Sequence, residues 1–266
     1  MKFLPVAKLT FFQNVKERFF LGMLFIELLL LLLSYYFSQV APGDSVKVAM
    51  DFALSFLSVL VALFVALVTV NSLYRDLSEK FVYLVLSKPV TRDQYLIGKF
   101  LGSLATVAFF LFCSFILTGV AFLAYSYFIN LYTPHPILLE RLFLFFLLLF
   151  LSSTLLTAVS VLSALLFSNQ ILAAVVTLLT WFIGLELGPV KELVVASKYA
   201  TPFSKLVVTV AYYFFPNFSL YSLKGFVVYP HLSFSLAYLG LAAVYALVYT
   251  VALMLISSFL FNRREL

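Results

Sequence analysis

Six segments of this chain are apolar for long enough to cross a lipid bilayer. They cover residues 19–41, 49–74, 100–130, 142–167, 171–188 and 234–261. A helix rises ~1.5 Å per residue, so about 20 apolar residues span the hydrocarbon core. Lipid offers no partner to a backbone N–H or C=O, and a helix pairs these groups within one segment. The sequence therefore predicts an all-α, polytopic membrane protein with six transmembrane helices, forming one domain over residues 1–266.

Composition excludes an ordinary soluble protein. Hydrophobic residues make up 64% of the chain and charged residues only 11%, far from the roughly 45–50% and 25% of soluble domains. With Cys113 as its one cysteine, the chain can form no intrachain disulfide and no cysteine-based metal site.

The sequence also lacks motifs for chemistry of its own. A P-loop needs a glycine-rich run that ends in Gly-Lys-Ser/Thr, but Gly98-Lys99 is followed by Phe100. The two histidines, His135 and His231, have no second ligand at metal-binding spacing. We therefore predict no catalytic, cofactor-binding or metal site in this chain.

The distribution of lysine and arginine predicts the orientation. With the N-terminus in the cytoplasm, eleven of the 17 basic residues lie on the inner side: Lys2, Lys8, Lys16, Arg18, Arg75, Lys80, Lys88, Arg92, Lys99, Arg263 and Arg264. Cytoplasmic segments of membrane proteins are enriched in these residues. The bias predicts that both termini are cytoplasmic, and it accounts for the net charge of +6 without nucleic acid as a partner.

Two further features are predicted outside the spans, one in residues 1–18 and the other in residues 189–233. Apolar residues recur at helical spacing at the N-terminus and predict an amphipathic elbow helix in the inner interface, with an extension of the first span as the alternative: Leu4, Ala7, Phe11, Val15 and Phe19. The aromatic region 189–233 predicts an extracytoplasmic insertion of interfacial helices, because its apolar run from Lys205 is too short to span alone. A seventh span and an aromatic substrate portal are the alternatives there.

Between the second and third spans, residues 75–99 hold a dense run of eight charged residues. Pro89 ends a predicted helix over residues 77–87, whose apolar face holds Leu77, Phe81, Leu84 and Val85. Thr91 stands three residues before Gln94, the spacing of a capping box, and predicts a new helix that runs into the third span. Gly98 and Gly102 on that helix predict close packing near the inner surface. An ordinary solvated loop is the alternative to this cytoplasmic helix pair.

Two carboxylates fall within predicted spans. Glu27 lies about 13 Å along the first span at ~1.5 Å per residue, where an ionised side chain is costly. It is a candidate for the translocation path or a gate, with a packing hydrogen bond as the equal alternative. Asp51 lies nearer the outer end of the second span and is a weaker candidate for the same role.

The cytoplasmic region resembles that of a known family. The order Arg75-Asp76, Glu79, then YLVLSKPVTR from Tyr83 and YLIGKFLG from Tyr95 resembles the cytoplasmic signature of ABC type-2 transporter permeases. The likeness is strongest to the six-span group that includes the nitrous-oxide reductase maturation permease. The outer Pro216-Asn217-Phe218 and the final residues FNRREL extend it over most of the chain.

This resemblance implies a permease in the inner membrane that pairs with a second copy of itself and with two ABC ATPase subunits, which would bind ATP and Mg²⁺. Export is the direction it implies. The helix 77–87 would be the coupling helix that docks into the ATPase, and the turn 168–170 a second, smaller contact. The coupling residues it implies are Asp76, Glu79, Phe81, Leu84, Val85, Pro89 and Arg92.

Two other functions remain open from the sequence. A secondary transporter or channel would use Glu27 and Asp51 as ion-coupled groups. A membrane anchor would use the cytoplasmic helix pair to recruit a soluble protein without transport.

Overall fold

The structure, a computed structural model, describes residues 3–40, 45–78, 90–129, 139–197, 200–222, 224–228 and 235–263. These residues form nine α-helices and one short 3₁₀ turn, with no strand among them. The helices are α1 Phe3–Lys16, α2 Arg18–Val40, α3 Ser45–Ser78, α4 Arg92–Ile129, α5 Leu139–Leu166, α6 Gln170–Ala196, α7 Pro202–Phe214, α8 Lys224–Val228 and α9 Leu236–Arg263, and the 3₁₀ turn is Ser219–Tyr221.

Six of these helices are long and apolar enough to cross a membrane: α2, α3, α4, α5, α6 and α9. The predicted number of spans is therefore confirmed within the described part of the chain, but two boundaries were wrong. Helix α3 continues through Leu77 to Ser78, whereas α4 begins at Arg92, which agrees with the helix predicted to run from Thr91 into the third span. Helix α6 does not end at Gly188 but runs through Pro189 to Ala196. The rest of the predicted helix 77–87 lies outside the described residues.

Both described ends of the chain lie at the same end of the bundle. Helix α1 packs on the first part of α4, where Gly98 and Gly102 face it. The last turn of α9 also lies at the start of α4, because Arg92 Nη1 donates to the carbonyl oxygen of Asn262 at 3.1 Å. We name this end, which holds α1 and the start of α4, the terminal end, and the opposite one the distal end.

Helices α3 and α5 form the centre of the bundle and are the most buried of the six spans. Aromatic packing fills the space between α2, α3 and α4, where the rings of Phe64 and Phe110 stack with centroids 4.1 Å apart. Phe20 meets both rings edge-on, at 5.9 Å from each. Offset and edge-to-face rings of this kind add to the packing that holds helices together in lipid, where apolar side chains gain nothing from leaving water.

The elbow helix α1 is separated from α2 at Glu17 and packs against α4. Its buried face consists of Val6, Thr10 and Asn14, one position away from the predicted apolar face. An added Cβ at Gly98 would lie 2.7 Å from Val6 Cβ, and one at Gly102 would lie 2.6 Å from the Ala7 carbonyl oxygen. The two glycines therefore allow the close approach that their spacing predicted.

The segment between α6 and α9 folds back onto the distal end. Phe218 N, which follows α7, donates to the Gly184 carbonyl oxygen of α6 at 3.0 Å. The Tyr221 hydroxyl donates to the Ala242 carbonyl oxygen, near the start of α9, at 3.0 Å. Because α9 starts at the distal end and finishes at the terminal end, the α7–α8 segment is no seventh crossing.

A glycine on α6 seats this returning segment. A Cβ added at Gly184 would overlap the Pro216 carbonyl oxygen and approach Phe218 Cδ2 to 2.7 Å. We expect Gly184→Ala to lower the thermal unfolding temperature of the detergent-purified protein, because overpacking against backbone costs ~1–3 kcal/mol. Gly240→Ala is the matched control, since nothing lies within 4 Å of its added Cβ. Equal unfolding temperatures for the two variants would contradict this account of the distal end.

Candidate functional site

A buried ion pair joins α3 and α4 at the terminal end. Lys99 Nζ lies 2.7 Å from Asp76 Oδ2, and each side chain is only 4% exposed. The Tyr95 hydroxyl donates to the same carboxylate oxygen at 2.8 Å. Lys99 also donates to the Ser72 hydroxyl and carbonyl oxygens, at 3.1 and 3.2 Å. Ser72, Asp76, Tyr95 and Lys99 form what we term the buried joint.

Helical periodicity explains why these four side chains meet. Ser72 and Asp76 are one turn apart on α3, and Tyr95 and Lys99 are one turn apart on α4, so each helix presents two polar groups from one face. Burying two charges is costly unless their remaining hydrogen bonds are made, and here Ser72 and Tyr95 supply them. The pair therefore holds α3 and α4 in one relative position, because any displacement would leave a buried charge unpaired.

A second polar group connects the buried joint to its neighbours. Arg75 pairs with Glu17 at the start of α2 and donates to Gln13 Oε1 of α1 at 3.3 Å. Asn71 Nδ2 donates to Glu17 Oε2 at 3.4 Å, and Gln170 Nε2 of α6 donates to Asn71 Oδ1 at 3.1 Å. These contacts link α1, α2, α3 and α6 at the terminal end.

The turn 168–170 lies within this arrangement. The Asn169 side chain caps α6 by accepting from Ile171 N at 2.8 Å and Leu172 N at 3.3 Å, as side chains at helix starts commonly do. The Tyr74 hydroxyl of α3 donates to the Phe167 carbonyl oxygen. The turn is thus fixed against α3, one helical turn from the buried joint.

The start of α4 also holds the end of α9. Thr91 and Gln94 form the predicted capping box, with each side chain bonded to the other's backbone N–H at 3.3 Å. Asp93 Oδ1 accepts from Ser258 Oγ and from Asn262 Nδ2, the latter at 2.8 Å. The Tyr95 ring stacks on Phe261, with centroids 5.9 Å apart. The first turn of α4 is therefore in contact with both α3 and α9.

The predicted coupling residues divide into two groups. Asp76 and Arg92 are described, and they stand at the two edges of the segment 79–89. Asp76 faces inward to Lys99 and Tyr95, while Arg92 donates to the carbonyl oxygens of Phe261 and Asn262. The others lie outside the described residues: Glu79, Phe81, Leu84, Val85 and Pro89. Their coupling role stays a prediction.

Reasoning from the sequence did not find Tyr95, Lys99 and Glu17 as partners of this region. A signal was present for two of them. Tyr95 and Lys99 have the same four-residue spacing as Ser72 and Asp76, and the charge of Lys99 is opposite to that of Asp76. Opposite charges at the facing ends of consecutive antiparallel helices are a sequence pattern for such a pair. Glu17 carries no comparable signal, since its pairing with Arg75 depends on the angle between α1 and α2.

Glu27 is buried between α2 and α4, with 2% of its surface exposed. Its carboxylate accepts from Ser114 Oγ at 2.5 Å and from Thr118 Oγ1 at 3.3 Å. Two further polar contacts lie along the same pair of helices, where Ser34 Oγ is 2.9 Å from the Tyr125 hydroxyl, which also donates to the Leu31 carbonyl oxygen. The hydrogen bonds agree with the packing alternative for Glu27, and its place on a translocation path stays a prediction.

Asp51 has different surroundings. Its carboxylate lies 3.4 Å from Lys224 Nζ of α8, and the two side chains are 48% and 41% exposed. Lys224 also donates to Ser55 Oγ at 2.8 Å. Glu27 and Asp51 are thus held by separate partners, one within the bundle and the other at its distal surface.

A comparison with known protein families identifies the family of this chain. The family model described as ABC-2 family transporter protein matches residues 4–266. The chain belongs to the ABC-2 transporter family. This confirms the resemblance of the cytoplasmic region at the level of the family, while the likeness to the nitrous-oxide reductase maturation permease stays a prediction. A comparison with curated proteins found no match.

Membership of the ABC-2 family states what kind of component this is. The chain is a multi-pass membrane protein and the permease type of ABC transporter component, a membrane transport part that is generally not catalytic itself. ABC-2 permeases typically work with an ABC ATPase partner.

The buried joint gives a stability prediction for this ABC-2 permease. We expect Lys99→Met to lower the thermal unfolding temperature strongly, because a buried carboxylate left without its partner costs ~3–5 kcal/mol. The double variant Asp76→Asn with Lys99→Met should recover much of the loss, since it leaves no buried charge. Thermal unfolding in detergent checks both, with Lys16→Met of the exposed α1 surface as control. A double variant as unstable as Lys99→Met would contradict the ion-pair account.

Glu27 gives a second stability prediction. We expect Glu27→Gln to unfold at nearly the temperature of the unchanged protein, because an amide can keep bonds to both Ser114 and Thr118. Glu27→Leu should unfold earlier, since it removes their partner at a cost of about 1–3 kcal/mol. Thermal unfolding in detergent again provides the measurement. The packing account would be wrong if Glu27→Leu were as stable as Glu27→Gln.

Proposed function

We propose that this chain is the permease subunit of an ABC exporter, which uses ATP hydrolysis in a separate ATPase subunit to move substrate out across the inner membrane. Two copies of the chain would pair with two ATPase subunits, and those would hold ATP and Mg²⁺. The terminal end, with both termini, would face the cytoplasm, as the excess of lysine and arginine there favours. Family membership supports the transporter class, and the residues of the terminal end support the route of coupling.

The observation that carries the proposal is the position of the buried joint. Asp76 lies three residues before the segment 79–89, and Arg92 lies three residues after it. A force applied to that segment must pass through the ends of α3 and α4, which the Asp76–Lys99 pair holds together. Both helices would then move as one body, because a buried pair resists separation.

Contacts around the buried joint would distribute this movement. Arg75 and Asn71 connect α3 to α1, α2 and α6, and Asp93 connects α4 to α9. These contacts connect five of the six spans at the terminal end: α2 through Glu17 at its start, α3, α4, α6 and α9. Such a set of contacts can convert a local push into a rearrangement of whole helices, as hinge and shear motions do.

The coupling residues take two different roles in this proposal. Phe81, Leu84 and Val85 would contact the ATPase through their apolar face, with Glu79 beside them and Pro89 ending the helix. Asp76 and Arg92 would act as positioning residues, since Asp76 is buried against Lys99 and Arg92 is bonded to the end of α9. Loss of a contact residue should therefore weaken binding of the ATPase. Loss of the buried joint should leave that binding intact but prevent the bound ATPase from moving the spans.

A spin-label experiment separates these two roles. The chain would be co-expressed with candidate ABC ATPases from the same genome, with Cys113→Ser and a single label at Lys205→Cys on α7. We expect ATP and Mg²⁺ to shift the label-to-label distance between two copies at the distal end. Replacing Phe81, Leu84 and Val85 by Asp should abolish co-purification, because three charges cannot pack in an apolar groove. The double variant Asp76→Asn with Lys99→Met should bind the ATPase but show no shift.

The controls for this experiment also test the alternatives. Lys16→Met should bind and shift as the unchanged chain does, since Lys16 is exposed. An ATPase that binds without any nucleotide-dependent shift in the unchanged complex would favour a membrane anchor. Substrate movement by the chain alone in liposomes without nucleotide would favour a secondary transporter or channel and overturn the proposal.

A further inference from the structure

A second polar region lies at the distal end, around a small cavity. The cavity has a volume of about 190 Å³ and lies between α3, α5, α6 and the returning segment that carries Tyr221 and Lys224. Leu149, Trp181 and Leu185 form its apolar walls, and Ser55, Ser152 and Lys224 contribute its polar groups. We name it the distal cavity.

The cationic group of the distal cavity is only partly neutralised. Lys224 Nζ donates to Ser55 Oγ at 2.8 Å and lies 3.4 Å from Asp51 Oδ1. An ammonium group has three donors, and the Asp51 contact is long and about half exposed, so it contributes little energy. A second anion could therefore approach Lys224 by displacing the Asp51 carboxylate.

Ser152 supplies an independent observation on the opposite wall. Neighbouring hydroxyls on α5 bond to the carbonyl four residues earlier, as Ser153 and Thr157 do at 2.7 Å. Ser152 is only 7% exposed and lines the cavity. Its hydroxyl can donate to or accept from a group that fills the cavity.

Trp181 extends the same pattern. Its ring lines the distal cavity, and its indole N–H can only donate a hydrogen bond. The donors at the cavity thus include an ammonium group and an indole, while its walls are hydrocarbon and aromatic rings. A ligand that fits must offer acceptor oxygens, carry negative charge and have an apolar body.

We propose that the distal cavity binds an amphiphile with an anionic head group. The head group lies between Lys224 and Ser55 in competition with Asp51, and the apolar body packs on Trp181, Leu149 and Leu185. Either a membrane lipid or an amphiphile from the water phase has this chemistry. This binding site is independent of the coupling proposed above, because it needs no ATPase partner.

Trp181 makes the proposal directly testable, since it is the only tryptophan in the chain. Bromine quenches indole fluorescence at short range, so the purified chain in detergent would be titrated with para-bromophenylbutyrate and with the matched uncharged para-bromophenylbutanol. We expect saturable quenching by the anion and about fivefold weaker binding of the alcohol, the factor that corresponds to ~1 kcal/mol for a partly exposed charge pair. Linear quenching that is equal for both would show partition into detergent only and would overturn the proposal.

Two substitutions with opposite effects provide the specific test. We expect Lys224→Gln to weaken binding of the anion about fivefold and Asp51→Asn to tighten it several-fold, because Asp51 competes for Lys224. A merely structural ion pair would give the same direction for both variants, and that result would overturn the proposal. Lys205→Gln, on α7 outside the cavity, is the matched control and should bind as the unchanged chain does. If Lys224→Gln does not fold, Ser152→Leu replaces it, since a filled cavity should show no saturable quenching.

The source of the ligand is settled in nanodiscs. Brominated phosphatidylglycerol should quench Trp181 more than equally brominated phosphatidylcholine if a lipid enters the cavity, and Asp51→Asn should enlarge the difference. Equal quenching by the two lipids, together with saturable binding of the water-borne anion, would support the water phase as the source. Equal quenching without saturable binding of that anion would overturn the proposal for both sources.

Discussion

Lipid cannot hydrogen-bond to a peptide group, and this constraint organises the rest of the molecule. It makes every crossing segment a helix, and it confines the non-helical backbone of the described residues to the two ends of the bundle. Polar side chains follow the same constraint. Within the spans, Ser153 and Thr157 bond to a carbonyl of their own helix, and Glu27 bonds to a neighbouring helix. Charged pairs are left to the ends, where the two candidate sites lie.

The two ends differ in how their charges are held. At the terminal end Asp76 and Lys99 are almost fully enclosed and have additional partners, which favours a fixed geometry. At the distal end Asp51 and Lys224 are about half exposed and farther apart, which favours exchange of partners. These properties suit the roles proposed for the two ends, because the terminal end would transmit movement through a fixed contact and the distal end would bind and release a ligand.

The sequence was sufficient for the number of spans, the capping box at Thr91 and the close packing at Gly98, because each depends on neighbours within about one helical turn. It was not sufficient for the end of α6. A proline usually ends a helix, but α6 continues through Pro189, where Gly188 lies close to Ser219. The partners of Asp76 and Asp51 are 23 and 173 residues away. Such pairs depend on how helices are placed against each other, which the local pattern does not contain. The segment that would contact the ATPase lies outside the described residues, so that part of the site rests on the sequence.

The buried joint also has a consequence for how the protein is made. Asp76 lies at the end of one span and Lys99 at the start of the next, with 22 residues between them. Neither charge is neutralised until both helices are in place. A single span with an unpaired charge near its end is held less firmly in lipid than one whose charge is neutralised. We expect α3 and α4 to leave the insertion machinery together, as a helical hairpin that closes around its own ion pair. The same contact that would carry movement in the mature transporter would then set the order in which its helices enter the membrane.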